Sequence, residues 1–392
     1  MIARRVVWAL GLAQLICWGI SFYYVGVFGD LIADELGWSR LAVYGGFSAA
    51  LVTMGAVSPF VGRAIDRFGG RPVLVAGALL CAACLLVLSA STTLGLYYAT
   101  WIGLGIAMRC TLYDAAFATL VGIEGASARR SITQITLVGG LAATCFWPLG
   151  HILAEAYTWR GATLVFAGFG LALVPLFLML PNSTARAMPE RTGPPGSGTP
   201  EHGRVKHAAL YALIVALGNG LHAGMSAHLI PVLTELGLTG TAAVSIAALR
   251  GIGQTTGRAA ELTFGQSVHP IDLNTFASGL IVVGFTLGLA ATGLYLAAAT
   301  FVFLYGVAIG LLTITRGTLP LVLFDSRRYG SMVGPLLIPS FLLSAAAPVM
   351  FAFLMERSGA YAAIGACAVA GAVMVLASLA LPARGMARGR SC

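Results

Sequence analysis

Apolar residues run in long blocks along the chain, roughly over 6–30, 40–61, 72–90, 94–121, 131–154, 160–181, 208–234, 239–261, 271–291, 293–323, 331–354 and 361–382. Short polar or glycine-bearing breaks separate them. A helix needs about 20 apolar residues to cross the hydrocarbon core of a bilayer. The pattern therefore predicts an all-α membrane protein with twelve transmembrane helices. One polar stretch is long, from Pro181 to His207, with Pro189, Pro194, Pro195 and Pro200 among glycines, and it reads as a flexible linker. It divides the blocks six and six. The expected organisation is a six-helix bundle over 1–181, a cytoplasmic linker over 182–207 and a second six-helix bundle over 208–392 with a short cytoplasmic tail. Arg4 and Arg5 precede the first block like a signal peptide. That block continues to about Phe28 with no convincing cleavage site, so it reads as a retained first span.

Composition agrees and narrows the field. Of the 392 residues, 58% are hydrophobic and 9% charged, against about 25% charged in a soluble domain. So few charges exclude a soluble globule, and so much apolar content excludes disorder. The net charge of +9 would raise nucleic-acid binding in a soluble protein. Here it sorts by side instead. With both termini inside, 17 of the 23 Lys and Arg fall in cytoplasmic segments and three in outer loops, which sets the orientation. The 50 glycines suit close helix approach in lipid. The seven cysteines show no disulfide or zinc spacing. No phosphate-binding loop and no catalytic constellation is present, so neither an enzyme nor direct ATP drive is expected.

The two halves repeat. Gly62-Arg63-Ala64-Ile65-Asp66 recurs as Gly257-Arg258-Ala259-Ala260-Glu261, an offset of 195, and Glu35-Leu36-Gly37 recurs as Glu235-Leu236-Gly237, an offset of 200. Two pseudosymmetric six-helix bundles account for this, and parallel repeats are a known transporter construction with the substrate between halves near mid-membrane.

The stretch Gly62-Arg63-Ala64-Ile65-Asp66-Arg67-Phe68-Gly69-Gly70-Arg71 resembles the signature loop of the major facilitator superfamily, between its helices 2 and 3 on the cytoplasmic side. It departs at Gly70, where the family usually carries a basic residue. Trp159-Arg160 after the fifth span is also similar to a frequent family dipeptide. The layout further resembles bacterial monocarboxylate- and oxalate-porter-like members, which hold a carboxylate with intramembrane arginine. Arsenite-efflux permeases of the superfamily are another relative by layout. The fifth span, Gly139-Gly140 through Pro148-Leu149-Gly150, lacks the Gly-Pro pair of drug:proton antiporters, which argues against drug export. The resemblance implies that spans 1, 4, 7 and 10 line the cavity.

Gating is expected at Gly62, Asp66, Arg67, Gly69 and Arg71, with Arg258 and Glu261 in the second copy. Asp66 can accept from a neighbouring helix N-terminus, where the dipole favours anions. Arg67 and Arg71 can pair with Glu124.

Ionisable residues inside spans are functional hypotheses by default. Arg109 and Asp114 lie in span 4, Arg250 in span 8 and Arg316 in span 10. Three guanidiniums against one carboxylate leave a positive surplus that an anionic substrate would match, since the Arg fork suits carboxylate and phosphate. Arg109 and Asp114 are five residues apart, about 140° around an unbroken helix, so they should not face each other. Substrate contacts are expected from Arg109, Arg250 and Arg316, with Trp18, Tyr23, Tyr24, Asn219 and His222 as further wall. Tyr23 and Tyr24 cannot both point one way. Asp114, His222 and His228 are the candidate proton carriers. Cys17, Cys110 and Cys145, at mid-depth in spans 1, 4 and 5, make a thiol site for a soft metalloid conceivable.

The expected function is secondary active transport of a small organic anion, a carboxylate in the first instance, by proton-coupled alternating access in the inner membrane. Metalloid or toxicant efflux, and a non-transporting sensor on the same fold, are the alternatives. The expected partners are the small anionic solute, protons as coupling ion and the lipid bilayer. No cofactor and no nucleic acid is expected, and the chain is expected to act as a monomer.

Overall fold

In the computed structural model the described residues are 4–181, 201–238 and 240–382. The expected linker up to residue 200 and the tail from 383 lie outside them. The helices are α1 (Arg4–Cys17), α2 (Tyr24–Leu36), α3 (Arg40–Phe68), α4 (Gly70–Ser89), α5 (Leu94–Thr111), α6 (Tyr113–Glu124), α7 (Arg129–Gly139), α8 (Ala142–Leu178), α9 (Glu201–Glu235), α10 (Gly240–Thr263), α11 (Pro270–Leu289), α12 (Tyr295–Leu323), α13 (Tyr329–Leu336) and α14 (Ile338–Leu379). Among the described residues there is no strand.

Nine continuous stretches among the described residues are long and apolar enough to cross a bilayer. Two of them, 129–178 and 326–379, each turn a corner and hold two spans. The more polar α10, with Arg250, Gln254, Arg258 and Glu261, is one more. The twelve expected spans are all present. Their outward faces carry large apolar side chains such as Trp8, Leu164, Val369 and Leu376, as a surface solvated by lipid requires.

The chain forms two compact units. The first holds residues 1–189 together with 324–338, and the second holds 190–323 and 339–392. The short helix α13, which lies in the second half of the sequence, thus packs with the first unit, along α3. An aromatic core of Tyr24, Phe28, Tyr97, Trp101 and Phe166 fills the first unit. In the second unit Phe285, Phe301 and Tyr305 do the same. There α10 and α12 meet backbone to backbone. A Cβ at Gly253 or Gly257 would overlap carbonyls of α12, and one at Gly306 or Gly310 would overlap those of α10. Both helices thus carry small residues four apart, the membrane device for close packing without a hydrophobic drive.

The signature stretch is helix, not loop. α3 continues to Phe68, so Gly62, Arg63 and Asp66 ride its last turns. The turn is Gly69 alone, at φ 88° and ψ 161°. The departure at Gly70 has a steric cause, because any Cβ there would run into the Thr119 side chain.

The repeat is visible at the corners. Thr158 turns the first at φ 59°, ψ 171°, and Gly359 turns the second at φ 74°, ψ 177°. Glu35 accepts from Trp159 Nε1 at 2.6 Å and from Arg160 Nε at 2.8 Å, while Arg160 NH1 donates to the Ser89 carbonyl at 2.7 Å. Its repeat partner Glu235 accepts from the Ala360 amide at 2.7 Å. In each half, a glutamate ending the first span holds the residue that follows the corner. That backbone region is nearly glycine-only and costs a side-chain-bearing residue about 1–3 kcal/mol. Gly359→Ala is therefore expected to lower the Tm of the purified protein in detergent. The added Cβ meets nothing closer than Glu235 Oε2 at 3.7 Å, so the loss is conformational, about 1–2 kcal/mol. Thr158→Gly is expected to shift Tm the opposite way. A fall in both variants would contradict the assignment of strain to Thr158.

Candidate functional site

Two spans of the first unit are interrupted. α1 and α2 are joined by a π-helical turn, Trp18–Phe22, closed by the Tyr23 amide on the Trp18 carbonyl at 3.0 Å. Such turns gather at functional sites. α5 and α6 part at Leu112, which is extended at φ −74°, ψ −177°. A break leaves carbonyls without helical partners, and Gln14 Nε2 donates to one of them, Thr111 O, at 2.8 Å. The Trp18 ring stands 4.6 Å from Phe22 and 5.0 Å from Tyr113, with Phe47 against Phe22. Among the described residues the buried Trp18 Nε1 has no hydrogen-bond partner.

The break also revises one expectation. Arg109 ends α5 and Asp114 starts α6, so the 140° of an unbroken helix does not describe them. At the first turn of α6, Asp114 sits where the helix dipole favours a carboxylate. Arg109 is buried, and its Nε donates to Ser58 Oγ at 2.8 Å; the Ser58 hydroxyl donates to the Gly334 carbonyl at 2.7 Å.

α3 and α13 meet along a seam. A Cβ at Gly62 would overlap the Gly330 carbonyl, and one at Gly334 would lie 2.6 Å from the Ser58 carbonyl oxygen. At the end of this seam the Asp66 carboxylate accepts from the Gly330 amide at 3.0 Å and the Ser331 amide at 2.7 Å. It therefore caps the N-terminus of α13, where an anion is stabilised.

The second unit holds a cavity lined by Gly218, Asn219, His222, Asn274, Thr315 and Arg316, with apolar residues of α9 and α12 between them. No carboxylate is among the lining residues. The Arg316 guanidinium lies over Phe341, 5.8 Å from its ring centre. Asn219 donates to Ser340 Oγ at 2.7 Å, and Thr315 donates to Asn274 Oδ1 at 2.8 Å. The His222 ring faces Tyr305 OH at 3.4 Å and lies in electrostatic reach of both Arg250 and Arg258. Arg250 NH1 donates to Ser226 Oγ at 2.8 Å.

Of the expected residues, Asn219, His222 and Arg316 come together in this cavity, with Arg250 beside them. Several others are placed differently. Arg258 is buried within α10, 4% exposed, rather than in a loop, and its Nε and NH1 have no hydrogen-bond partner among the described residues. Glu261 is buried as well and accepts from Gln266 at 2.8 Å. Tyr24 is a core residue rather than a cavity wall. It is fully buried, with its hydroxyl on Thr163 Oγ1 at 2.6 Å, while Tyr23 is half-buried beside Trp18. His228 is tied to the Pro348 carbonyl at 2.8 Å and stacked on Phe351, outside the cavity lining. Arg67 lies exposed over Phe68. The thiols do not form a site. Cys17 is buried, Cys110 packs on Gly77, and Cys145 is exposed. Among the described residues no three His, Cys, Asp or Glu side chains converge as metal ligands.

Sequence reasoning passed over Ser58, Gln14, Glu35 and Glu235. The Glu-Leu-Gly repeat was a signal for the last two. A serine in an apolar span gives no such signal.

Twelve helical spans, an apolar outer surface, interrupted helices and a basic cavity define a polytopic membrane transporter by architecture. The profile of the Major Facilitator Superfamily matches residues 10–334, and the chain belongs to that superfamily. Its spans make it a multi-pass membrane protein of that superfamily. By sequence it is similar to the Multidrug resistance protein MdtL of Escherichia coli O45:K1, 30% identical over 198 residues, 49% of each chain. The homonymous protein of Shewanella oneidensis is 29% identical over 186 residues, 46% of this chain and 45% of that one. The chain thus matches about half the length of these curated relatives, and they are not carboxylate porters by name. By fold it is similar to the human organic anion transporter MFSD10 (TM-score 0.71, 18% identity, covering 96% of this chain and 99% of that one). The proton:xylose symporter XylE is a second such neighbour (TM-score 0.75, 14% identity, covering 96% and 94%).

Asp66→Asn removes the charge that caps α13. Hydrogen exchange of the Gly330 and Ser331 amides is expected to rise about tenfold, the effect of losing a charge-assisted bond. Arg67→Gln should leave those amides unchanged. Equal protection in wild type and Asp66→Asn would remove the cap.

Proposed function

We propose that the protein is a secondary active transporter of small organic anions, carboxylates in the first instance, in the cytoplasmic membrane. One observation carries this reading. Arg316 lines the cavity of the second unit together with His222 and Asn219, and no carboxylate lines it. Neither Arg250 nor Arg258 makes an ion pair among the described residues. A buried guanidinium with no counter-charge is strongly unfavourable. A bound carboxylate supplies that charge and fits the donor fork. Asn219, Asn274 and Thr315 add neutral polar groups to fix orientation.

The same cluster supports proton coupling. An anion held between Arg250, Arg258 and His222 attracts a proton to the imidazole, so the two ions reinforce each other's binding. His222 is therefore the proposed proton carrier, with Asp114 at the break in span 4 as the second candidate. Alternating access is the proposed mode of transport, as in other parallel-repeat carriers. The distribution of Lys and Arg supports a cytoplasmic side for both termini.

A second reading, efflux of drug-like solutes, has its own support. The curated relatives carry the name of multidrug resistance proteins, and Trp18, Phe22, Phe47 and Tyr113 form an aromatic cluster around the π turn of the first unit. Aromatic walls with a few polar groups suit varied organic solutes. The Gly-Pro pair absent from span 5 weighs against it.

Counterflow in proteoliposomes decides between the two. Radiolabelled oxalate, pyruvate and succinate are the anion probes, and ethidium is the organic-cation probe. The expected result is uptake of an anion, lowered by about tenfold or more in Arg250→Lys and Arg316→Gln as charge-assisted bonds are lost. Movement of ethidium alone, or an anion rate unchanged in both variants, would overturn the anion reading.

A further inference from the structure

We infer that Ser58 is a positioning residue that holds the intramembrane Arg109 against the C-terminal end of α13, so that this short helix is clamped at both ends by one stripe of α3. The stripe is Ser58, Gly62 and Asp66, four residues apart each time and so one above another on a single helix face. Gly62 lets the two backbones touch at Gly330. Asp66 caps the two amides at the start of α13. Ser58, fully buried, donates to the Gly334 carbonyl near its end at 2.7 Å.

The chemistry at the second end is specific. α13 stops at Leu336, before Leu337, Ile338 and Pro339. The Leu337 amide is shared between the Val333 and Gly334 carbonyls at 3.2 and 3.3 Å, and Pro339 has no amide to offer the Pro335 carbonyl. A C-terminus of this kind carries partial negative charge and favours a cation. Arg109 reaches it through one hydroxyl. Its Nε donates to Ser58 Oγ at 2.8 Å, and because that oxygen accepts from a cation, its own O–H is polarised towards Gly334. An anion thus sits at the N-terminus of α13 and a relayed cation at its C-terminus, both oriented as the helix dipole requires. Arg109, read from sequence only as a substrate contact, is part of this clamp through Ser58.

The link from the clamp to transport rests on the proposed anion reading, because an anion engaging Arg109 would draw it off Ser58. The clamp itself does not rest on that reading, and the experiment separates them. Hydrogen exchange of peptides covering 329–337 is measured on the full-length protein in nanodiscs for wild type, Ser58→Ala, Arg109→Gln and the double variant. Each single change is expected to speed exchange there by about tenfold, and the double variant to exceed neither by much, because both remove one relay. Peptides of α11 should keep their protection in every variant, which a general loss of folding would not allow. If Arg109→Gln fails to fold, Arg109→Lys with Ser58→Ala completes the same cycle. Effects that multiply independently, or no effect at 329–337, would overturn the clamp. Oxalate added to wild type then probes the other claim. Faster exchange at 329–337 with oxalate, absent in Ser58→Ala, joins the clamp to anion binding. A coupled cycle with no response to oxalate leaves the clamp standing and counts against oxalate as the solute.

Discussion

A charge or an open backbone group inside hydrocarbon has to meet an opposite charge, a dipole end or a polar group, and much of this molecule is arranged around that requirement. α13 shows it in the smallest space. Eight residues long, it is too short to satisfy many of its own terminal amides and carbonyls. Asp66 answers at one end, and Ser58 with Arg109 behind it at the other. The glycine contacts of the seam follow, since neither cap reaches unless the backbones of α3 and α13 touch at Gly62 and Gly330. The same rule explains Gln14 at the open carbonyl of Thr111, beside the break at Leu112.

Interruptions are therefore supported rather than incidental. Apart from the π turn of span 1, each of these broken or cornered spans has a polar side chain from another element at the site of the fault. Gln14 serves span 4, Ser58 serves span 11 and the Glu35 and Glu235 carboxylates serve the two corners. The last pair also shows how a repeat outlives its sequence. The corner residues are Thr158 and Gly359, chemically unlike, yet they share a backbone conformation within 15° in φ and 6° in ψ. What the halves conserve is the glutamate and the turn it holds. At the corner itself one half uses glycine, while the other keeps a strained threonine next to a Trp-Arg pair gripped by both carboxylate oxygens.

The apolar periodicity made twelve spans legible, because a bilayer imposes one length on every helix. The two repeat offsets made the halves legible, and the family stretch from Gly62 to Arg71 made the superfamily legible. The site was legible only as a set of residue types. Asn219, His222 and Arg316 do share a cavity, which a stripe of polar residues on spans 7 and 10 foreshadowed. Tyr24 was illegible as core, because its partner Thr163 lies 139 residues away. The break at Leu112 was illegible too, since an apolar residue between Thr111 and Tyr113 carries no breaking signal. Arg258 read as a cytoplasmic cation like its repeat partner Arg63, which is exposed at the end of α3, and only packing turns Arg258 inward.

Three intramembrane arginines looked alike in sequence, and their surroundings now separate them. Arg109 is committed to protein, held by a buried serine that also holds a helix end, so any ligand it takes must compete with that bond. Arg316 stands at the wall of a cavity with its guanidinium over Phe341, 5.8 Å from the ring centre, a cation–π contact that leaves its charge in place. Arg250 meets only neutral hydroxyls, Ser226 Oγ at 2.8 Å and the phenol of Tyr305, which also faces His222. A neutral donor or acceptor can satisfy hydrogen bonds, but it does not cancel a charge. Among the described residues neither Arg250 nor Arg258 forms an ion pair, so the second unit carries cationic charge that its own hydroxyls do not cancel.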